Sequence, residues 1–130
     1  MKGEDFIMAE ALYEDEYIVI KQTDTSEINT MFVGAGVQFR LELKNVSDTS
    51  LRVSAVDITA NGVTVERSEL LEGELKPGKR SYSDVHFYYK SFPDGSIKGL
   101  NDIKEVTFGV KYEIGDTGVR KINGPVSVEV

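Results

Sequence analysis

The chain has 130 residues, of which 40% are hydrophobic and 28% charged, a composition typical of one soluble globular domain. The formal net charge is −7, which opposes binding to nucleic-acid phosphates and to anionic membranes. Cysteine is absent, which excludes disulfides, thiolate metal sites and cysteine nucleophiles, and no apolar run approaches the roughly 20 residues of a membrane-spanning helix.

The beginning of the chain predicts two short strands joined by an acidic turn. Residues 1–9 are expected to form a flexible or helical lead-in. Short runs rich in aromatic and β-branched residues then flank the acidic turn Glu14–Glu16, which predicts strands over Ala11–Tyr13 and Tyr17–Lys21. The polar run Thr23–Asn29 predicts a second turn.

The centre of the chain contains the clearest strand patterns. Apolar and polar residues alternate over Val37–Lys44, so one face of this strand is expected to pack on a core. The strand Leu51–Ala60 changes the phase of its apolar residues at Ala55–Val56, which predicts a bulge and a passage of the strand between two sheets. Asn61–Gly62 predicts a type I′ hairpin turn. Asn45 opens a glycosylation sequon, but its place at a strand end favours a role in the turn.

The second half of the chain continues the pattern of strands and turns. An irregular connection is expected over Arg67–Lys76, a type II turn at Pro77–Gly78, and a crossover with one helical turn over Ser91–Asp102. Alternating residues predict three further strands, over Ser81–Lys90, Glu105–Ile114 and Val119–Val130. About seven to nine short strands without a long helical period indicate an all-β fold, an antiparallel β-sandwich that occupies residues 1–130 as one domain.

Five turn and strand motifs occur in an order that is found in one group of bacterial domains. These motifs are Leu12-Tyr13-Glu14-Asp15, Asn45-Val46-Ser47-Asp48, the strand end Asp57–Gly62, Pro77-Gly78-Lys79, and the connection and strand over Leu100–Phe108. Together they resemble the small immunoglobulin-like domains of Gram-positive bacterial surface proteins and lipoproteins. The resemblance covers most of the chain and implies an immunoglobulin-like β-sandwich.

The resemblance also implies a location and a type of function. It implies an extracellular or cell-surface protein without catalytic residues, although the sequence contains neither an export signal nor a lipoprotein cysteine, so a cytoplasmic location stays open. We therefore expect a non-enzymatic bacterial module for interaction, adhesion or structural support, with a protein or a glycan as its partner. Binding to nucleic acid and direct insertion into a membrane are not expected.

Aromatic residues give the one positive indication of a binding surface. Four of them are clustered in the second half of the chain, at Phe87, Tyr88, Tyr89 and Phe92. Strand alternation exposes at least one of these rings, and we select Tyr82, Tyr88 and Phe92 as candidate binding residues. Exposed rings on a sandwich favour a carbohydrate-binding module as the alternative function. The competing interpretation places Phe87 and Tyr89 in the core and Tyr88 under a loop.

A single histidine limits the catalytic chemistry that the chain can support. His86 is predicted on the polar face of its strand together with Asp84, and Ser83 is adjacent in sequence. A hydrolase built on these side chains is a third hypothesis. A solvent-facing or hydrogen-bonded histidine is the favoured interpretation, so we assign no catalytic residue.

Metal binding is indicated only by loop carboxylates. Two pairs offer hard oxygen ligands that suit calcium, namely Glu14 with Asp15 and Asp94 with Asp116. No EF-hand spacing is present, and one histidine without cysteine does not make a zinc site. We therefore predict neither a cofactor nor a metal ligand, and calcium stays an open alternative.

Overall fold

Antiparallel strands account for most of the protein, in agreement with the alternation of its residues. A computed structural model describes residues 11–65, 74–115, 117 and 119–130, with the side chains of 119–121 left aside. Two short 3₁₀ turns, at Tyr89–Ser91 and Leu100–Asp102, accompany the strands of this described part. The strands are β1 (Ala11–Glu14), β2 (Ile18–Thr30), β3 (Gly34–Asn45), β4 (Leu51–Ala60), β5 (Val63–Thr64), β6 (Glu74–Leu75), β7 (Arg80–Tyr88), β8 (Val106–Ile114) and β9 (Val119–Val128).

Two antiparallel sheets pack around one core. The first sheet has the strand order β1-β2-β3-β7, and the second has the order β5-β4-β8-β9, with β6 also paired to β4. The largest buried side chains come from both sheets, with Phe39 and Phe87 from the first and Phe108 and Tyr112 from the second. The predicted all-β sandwich is therefore confirmed, because each strand directs alternate residues into a common interior.

Strand β4 changes the phase of its buried side chains along its length, as the sequence predicts. Its register against β8 shifts between Val56 and Thr59, slightly later than expected, and Asp57 has a positive φ of 52°. This bulge returns Ile58 and Ala60 to the core that Ala55 also faces, whereas Val56 beside the bulge is only half-buried. The predicted passage between sheets is wrong, because β4 pairs with β8 on both sides of the bulge.

Strand β2 is longer than its sequence indicates. The predicted turn over Thr23–Asn29 is wrong, since β2 continues through this polar segment to Thr30. Every residue from Asp24 to Thr30 has a partner on β3, ending with Thr30 opposite Gly34. Pairing with a long neighbouring strand overrides the weak strand preference of polar residues. The result is a long hairpin whose connection is Met31–Val33.

Two turns have the backbone geometry that their residues predict. Asn61 and Gly62 have φ values of 52° and 81°, and a type I′ hairpin turn requires a positive φ at both of its central residues. Gly78 has a φ of 74°, and the backbone N–H of Lys79 donates to the carbonyl oxygen of Lys76 at 3.0 Å. These features are those of a type II turn with glycine at its third position.

Asn45 organises the connection between β3 and β4 from a fully buried position, with 0% of its surface exposed. Its Nδ2 donates to the carbonyl oxygens of Thr49 and Leu75, each at 2.8 Å. Its Oδ1 accepts from the backbone N–H of Ser47 at 2.9 Å and from the Ser47 hydroxyl at 2.7 Å. These contacts confirm the expected turn role of Asn45. Nδ2, the atom that a glycan would modify, makes two internal hydrogen bonds.

Two segments on which the sequence makes predictions lie partly or wholly outside the described residues. The lead-in expected over residues 1–9 is one of them. The irregular connection expected over Arg67–Lys76 is the other, and of it the structure describes Glu74–Leu75, which forms β6, and Lys76. The crossover after β7 is described in full, and its predicted helical turn is the 3₁₀ turn Leu100–Asp102.

Candidate binding site

The solvent-facing side of the first sheet carries most of the candidate residues, and we name it the outer face. It is formed by outward side chains of β2, β3 and β7. On β7, Val85 and Phe87 are buried, so the residues between and beside them point to solvent. The outward residues of β7 are Tyr82, Asp84, His86 and Tyr88.

The strand register arranges the outer face in rows that cross three strands. Arg40 on β3 lies between Asp24 on β2 and Asp84 on β7. One row further along, Gln38 lies opposite His86. The Arg40 cation therefore lies between two carboxylates, and the Gln38 amide lies beside the His86 imidazole. This surface offers both hydrogen-bond donors and acceptors. Such a surface suits a polar ligand better than an apolar one.

The polar side chains of the outer face hold one another in place. Arg40 donates through Nε and Nη2 to the Gln38 side-chain oxygen at 2.8 and 3.1 Å, once that amide is oriented for bonding. The Nδ1 atom of His86 lies 2.7 Å from Oδ1 of Asp84, and both side chains are about one-third exposed. These contacts reduce the side-chain freedom that a ligand would otherwise have to restrict.

Tyr82 is the exposed aromatic residue of this surface, with 66% of its area accessible. Its hydroxyl donates to Oε2 of Glu42 on the neighbouring strand at 3.1 Å. Beside it is a shallow pocket of about 200 Å³ whose lining includes Arg40, Asp84 and Thr23. An aromatic ring beside a guanidinium and a carboxylate provides a stacking surface together with donors and acceptors for hydroxyl groups.

Tyr88 lies at the other end of the outer face and is half-buried. Its ring contacts His86 edge-on, with the ring centres 5.8 Å apart. It also covers Gly36 of β3, where an added Cβ would lie 2.3 Å from the Phe87 carbonyl oxygen. Glycine at this position therefore allows the two strands and the Tyr88 ring to approach closely.

Phe92 does not belong to the binding surface that the sequence suggests. Only 5% of its area is exposed, and its ring packs edge-on against Phe87 with centres 5.7 Å apart. The alternation that would have exposed an aromatic ring ends at Tyr88, because the chain then enters the 3₁₀ turn Tyr89–Ser91. Of the three selected aromatic residues, Tyr82 and Tyr88 share the outer face and Phe92 is a core residue.

The components of a serine hydrolase are not brought together around His86. The predicted proximity of His86 and Asp84 is found, but on an open sheet surface rather than in a cleft. Ser83 has the strand parity of the buried residues Val85 and Phe87, so its side chain leaves the opposite face of β7. The side chain of Ser83, the nucleophile that the sequence suggested, is therefore not directed towards this histidine–carboxylate pair.

Asp15 is the centre of a second polar cluster, one that the sequence did not indicate. The Asp15 cluster consists of Tyr13, Asp15, Tyr112 and Asn123. The hydroxyl groups of Tyr13, at 2.6 Å, and Tyr112 both donate to Oδ2 of Asp15. Nδ2 of Asn123 donates to the Tyr112 hydroxyl at 2.9 Å and to Asp15 at 3.3 Å. The cluster joins the turn after β1 to strands β8 and β9, and therefore links the two sheets.

Ionisation in the Asp15 cluster follows from burial and hydrogen bonding. Burial alone would raise the pKa of Asp15, but hydrogen bonds from Tyr112, Tyr13 and the backbone N–H groups of Ile18 and Tyr17 lower this pKa below its ordinary value. Burial, and then the hydrogen bond and negative charge of Asp15, raise the pKa of both tyrosines. At neutral pH the cluster is therefore one carboxylate held by two phenols.

Those loop carboxylates considered for calcium that the structure describes do not converge into a cation site. Asp15 is occupied by the contacts just described, and Oδ1 of Asp94 accepts from the backbone N–H of Ser96 at 3.0 Å. Asp116, the expected companion of Asp94, lies outside the described residues. Within the part of the chain that the structure describes, no group of three or more histidine, aspartate or glutamate side chains is placed to hold a metal ion.

We expect Tyr89→Phe to lower the free energy of unfolding by about 1–2 kcal/mol at pH 7, because the Tyr89 hydroxyl donates to Oε2 of Glu27 at 3.1 Å. Burial, followed by the hydrogen bond and charge of Glu27 and the charge of Asp102, raises the pKa of Tyr89 to about 12. A phenol whose pKa is higher in the folded state stabilises fully below the unfolded value of about 10 and loses this effect as pH rises towards 12.

The stability difference between wild type and Tyr89→Phe should therefore become smaller between pH 10 and 12, as measured by urea unfolding across that range. Tyr82→Phe is the control, since it removes a hydroxyl–carboxylate contact of the same 3.1 Å length from an exposed position. We expect this control to change stability by less than about 0.5 kcal/mol. A constant difference between wild type and Tyr89→Phe across the range would contradict the prediction.

Protein-family models, curated proteins and solved structures contain no match to the chain. Among the described residues there is no helix with the length and apolar character needed to cross a bilayer. The fold and the outer face therefore define a class, an antiparallel β-sandwich with a polar and aromatic surface on one sheet.

Proposed function

We propose that the protein is a non-enzymatic interaction module that binds a partner protein or a glycan through the outer face. The observation that carries this proposal is the exposed ring of Tyr82 beside Arg40 and Asp84 on the outer face. Tyrosine and arginine are enriched among the residues that dominate binding energy at interfaces. Their position on a paired sheet provides a preorganised contact surface.

The resemblance to immunoglobulin-like domains of Gram-positive surface proteins supports an adhesion or structural role outside the cell. In such a setting the partner would be a surface protein or a surface glycan. The net charge of −7 makes a nucleic-acid partner unfavourable, since most of the affinity for nucleic acid comes from basic residues. The position of Ser83 on the opposite side of β7 from the His86–Asp84 pair favours binding over hydrolysis.

Binding of the fluorescently labelled domain to intact bacterial and host cells tests this function. We expect Tyr82→Ala and Tyr88→Ala each to weaken cell binding by about tenfold, because each removes an aromatic contact from the outer face. Ile122→Ala is the matched control, since Ile122 is a 63% exposed apolar residue of the other sheet. Equal binding by wild type and both tyrosine variants would reject the outer face as the binding surface.

A glycan and a protein are the two candidate partners of the outer face, and the pocket beside Tyr82 specifically favours the glycan. A volume of about 200 Å³ with an aromatic wall suits a single sugar ring better than a peptide. A glycan array distinguishes the two candidates. A signal that is present for the wild type and lost in Tyr82→Ala would support carbohydrate binding, whereas cell binding without any array signal would support a protein partner.

A further inference from the structure

The connection between β2 and β3, which we name the hairpin tip (Met31–Val33), exposes the two most accessible large apolar side chains of the described residues. Met31 is 91% exposed and Phe32 is 90% exposed. Single exposed apolar residues are common on protein surfaces, but two adjacent ones at the end of a hairpin form a small protruding apolar surface. Such a surface requires an explanation because burying either side chain would be favourable.

The ends of β2 and β3 that carry the hairpin tip contain no charged residue. No charged residue occurs between Glu27 and Arg40, although 28% of the chain is charged. A charged group close to the tip would resist transfer out of water, because desolvation of an ion is costly. The adjoining residues of β2 and β3 can therefore leave water with the tip without desolvating a charge of their own. Lys90, in the 3₁₀ turn that packs on β3, is exposed and its long side chain can keep the ammonium group in water.

The hairpin tip is also held in a defined conformation. β2 and β3 remain paired up to Thr30 opposite Gly34, directly beside the tip. The Thr30 hydroxyl accepts from the backbone N–H of Val33 at 3.1 Å, which satisfies a polar group that would otherwise be costly to remove from water. Gly34 allows the chain to re-enter β3 with a φ of 89°. Met31 and Phe32 are thus presented without further ordering of the backbone.

The shape of the hairpin tip decides which environment can cover it. A stable protein interface buries about 800 Å² on each partner, whereas a three-residue protrusion offers only a fraction of that area. The interfacial region of a bilayer adapts to a small protrusion and does not need a complementary surface. A net charge of −7 opposes approach to anionic lipid, so the matching surface is an electrically neutral one.

We propose that the hairpin tip inserts Met31 and Phe32 into the interfacial region of an electrically neutral bilayer. This proposal is independent of the outer face and of the function proposed for it. It modifies the expectation that the chain does not insert into membranes, which rested on the lack of a spanning segment and on repulsion from anionic lipid. A single myristoyl chain partitions with a constant of about 10⁴ M⁻¹, and two side chains bind more weakly, so the contact is reversible and supplements another attachment.

The sequence contains no tryptophan, so Phe32→Trp introduces a unique fluorescent reporter into the full chain. With phosphatidylcholine vesicles at millimolar lipid, we expect the tryptophan emission to move to shorter wavelength and to be quenched by brominated acyl chains. Adding Met31→Ser to this variant should lower its partition constant by about tenfold, the effect of keeping one apolar side chain in water. Vesicles of phosphatidylglycerol should bind less than those of phosphatidylcholine.

Ile122→Trp is the matched control, because it places the same reporter on an exposed position of β9 in the second sheet. Its emission should not respond to vesicles, and circular dichroism should show that both variants retain the strand content of the wild type. The proposal is overturned if Phe32→Trp does not respond to phosphatidylcholine, if both reporters respond equally, or if anionic vesicles bind more tightly. A shift that depends on protein concentration without lipid would identify a second copy as the occupant and would also overturn it.

Discussion

Replacement of Asp15 by alanine is expected to lower the free energy of unfolding by about 3–4 kcal/mol, a large part of the total stability of a domain of this size. The reason is that Tyr13, Tyr112 and the backbone N–H groups of Tyr17 and Ile18 all lose their acceptor together. A buried donor without a partner costs more than the hydrogen bond itself contributes. Urea unfolding followed by circular dichroism measures the change.

Tyr112→Phe is the matched control, because it removes one donor from the Asp15 cluster and leaves the carboxylate bound by the others. We expect it to cost about 1–2 kcal/mol. If Asp15→Ala cost no more than Tyr112→Phe, the carboxylate would not be the centre of the cluster. A loss below about 1 kcal/mol for Asp15→Ala would contradict the prediction itself.

The Asp15 cluster also predicts that the free energy of unfolding depends on pH. The variant Asp15→Asn should isolate this dependence. The pKa of Asp15 is lower in the folded state than in the unfolded chain, where it is about 3.9. Its stabilising effect is therefore complete above that value and is lost as pH falls through the folded pKa. The stability difference between wild type and Asp15→Asn should accordingly shrink as pH decreases below about 4.

Replacement of Asn45 by alanine should lower the free energy of unfolding by about 3 kcal/mol. The side chain is fully buried, and its loss leaves the carbonyl oxygens of Thr49 and Leu75 and the backbone N–H of Ser47 without their partners. Thermal and urea unfolding measure the loss. Because the substitution also releases the connection before β4, exchange of backbone amide hydrogens should increase in this region.

Ser47→Ala provides the comparison for Asn45. The Ser47 hydroxyl donates to Oδ1 of Asn45 and, at 3.0 Å, to the carbonyl oxygen of Thr49, but the site is only partly buried. We expect a cost of about 1 kcal/mol for this change. Equal effects of the two substitutions would show that the amide of Asn45 does not organise the turn.

Features of this protein that depend on residues close together in the chain are predicted correctly, whereas those that depend on distant partners are not. The alternation of Val37–Lys44 predicts a half-buried strand because successive side chains of a strand point to opposite faces. The phase change of β4 is likewise visible in the sequence, and the bulge that it requires is present. Whether β4 then changes sheets depends on which strand pairs with its second half, and that partner is distant in the chain.

Each wrong prediction has a physical reason that the residue pattern does not reveal. Thr23–Asn29 has the composition of a turn, yet pairing with β3 makes it a strand. Phe92 was expected to be exposed, yet a short 3₁₀ turn carries it into the core. The sequence places Asp15 in an acidic turn and gives no sign of its partners Tyr112 and Asn123, which are 97 and 108 residues away. No local pattern contains such contacts.

The position of the Asp15 cluster has a consequence for mechanical strength. Tension along the chain reaches β1 and β9 before the other described strands, and the cluster connects the turn that follows β1 with Asn123 on β9. Strands that bear load are here tied across the two sheets by hydrogen bonds to a carboxylate, which are stronger than bonds between neutral groups. We expect a pulled domain to resist extension at this point first, and to yield at lower force when acid protonates Asp15.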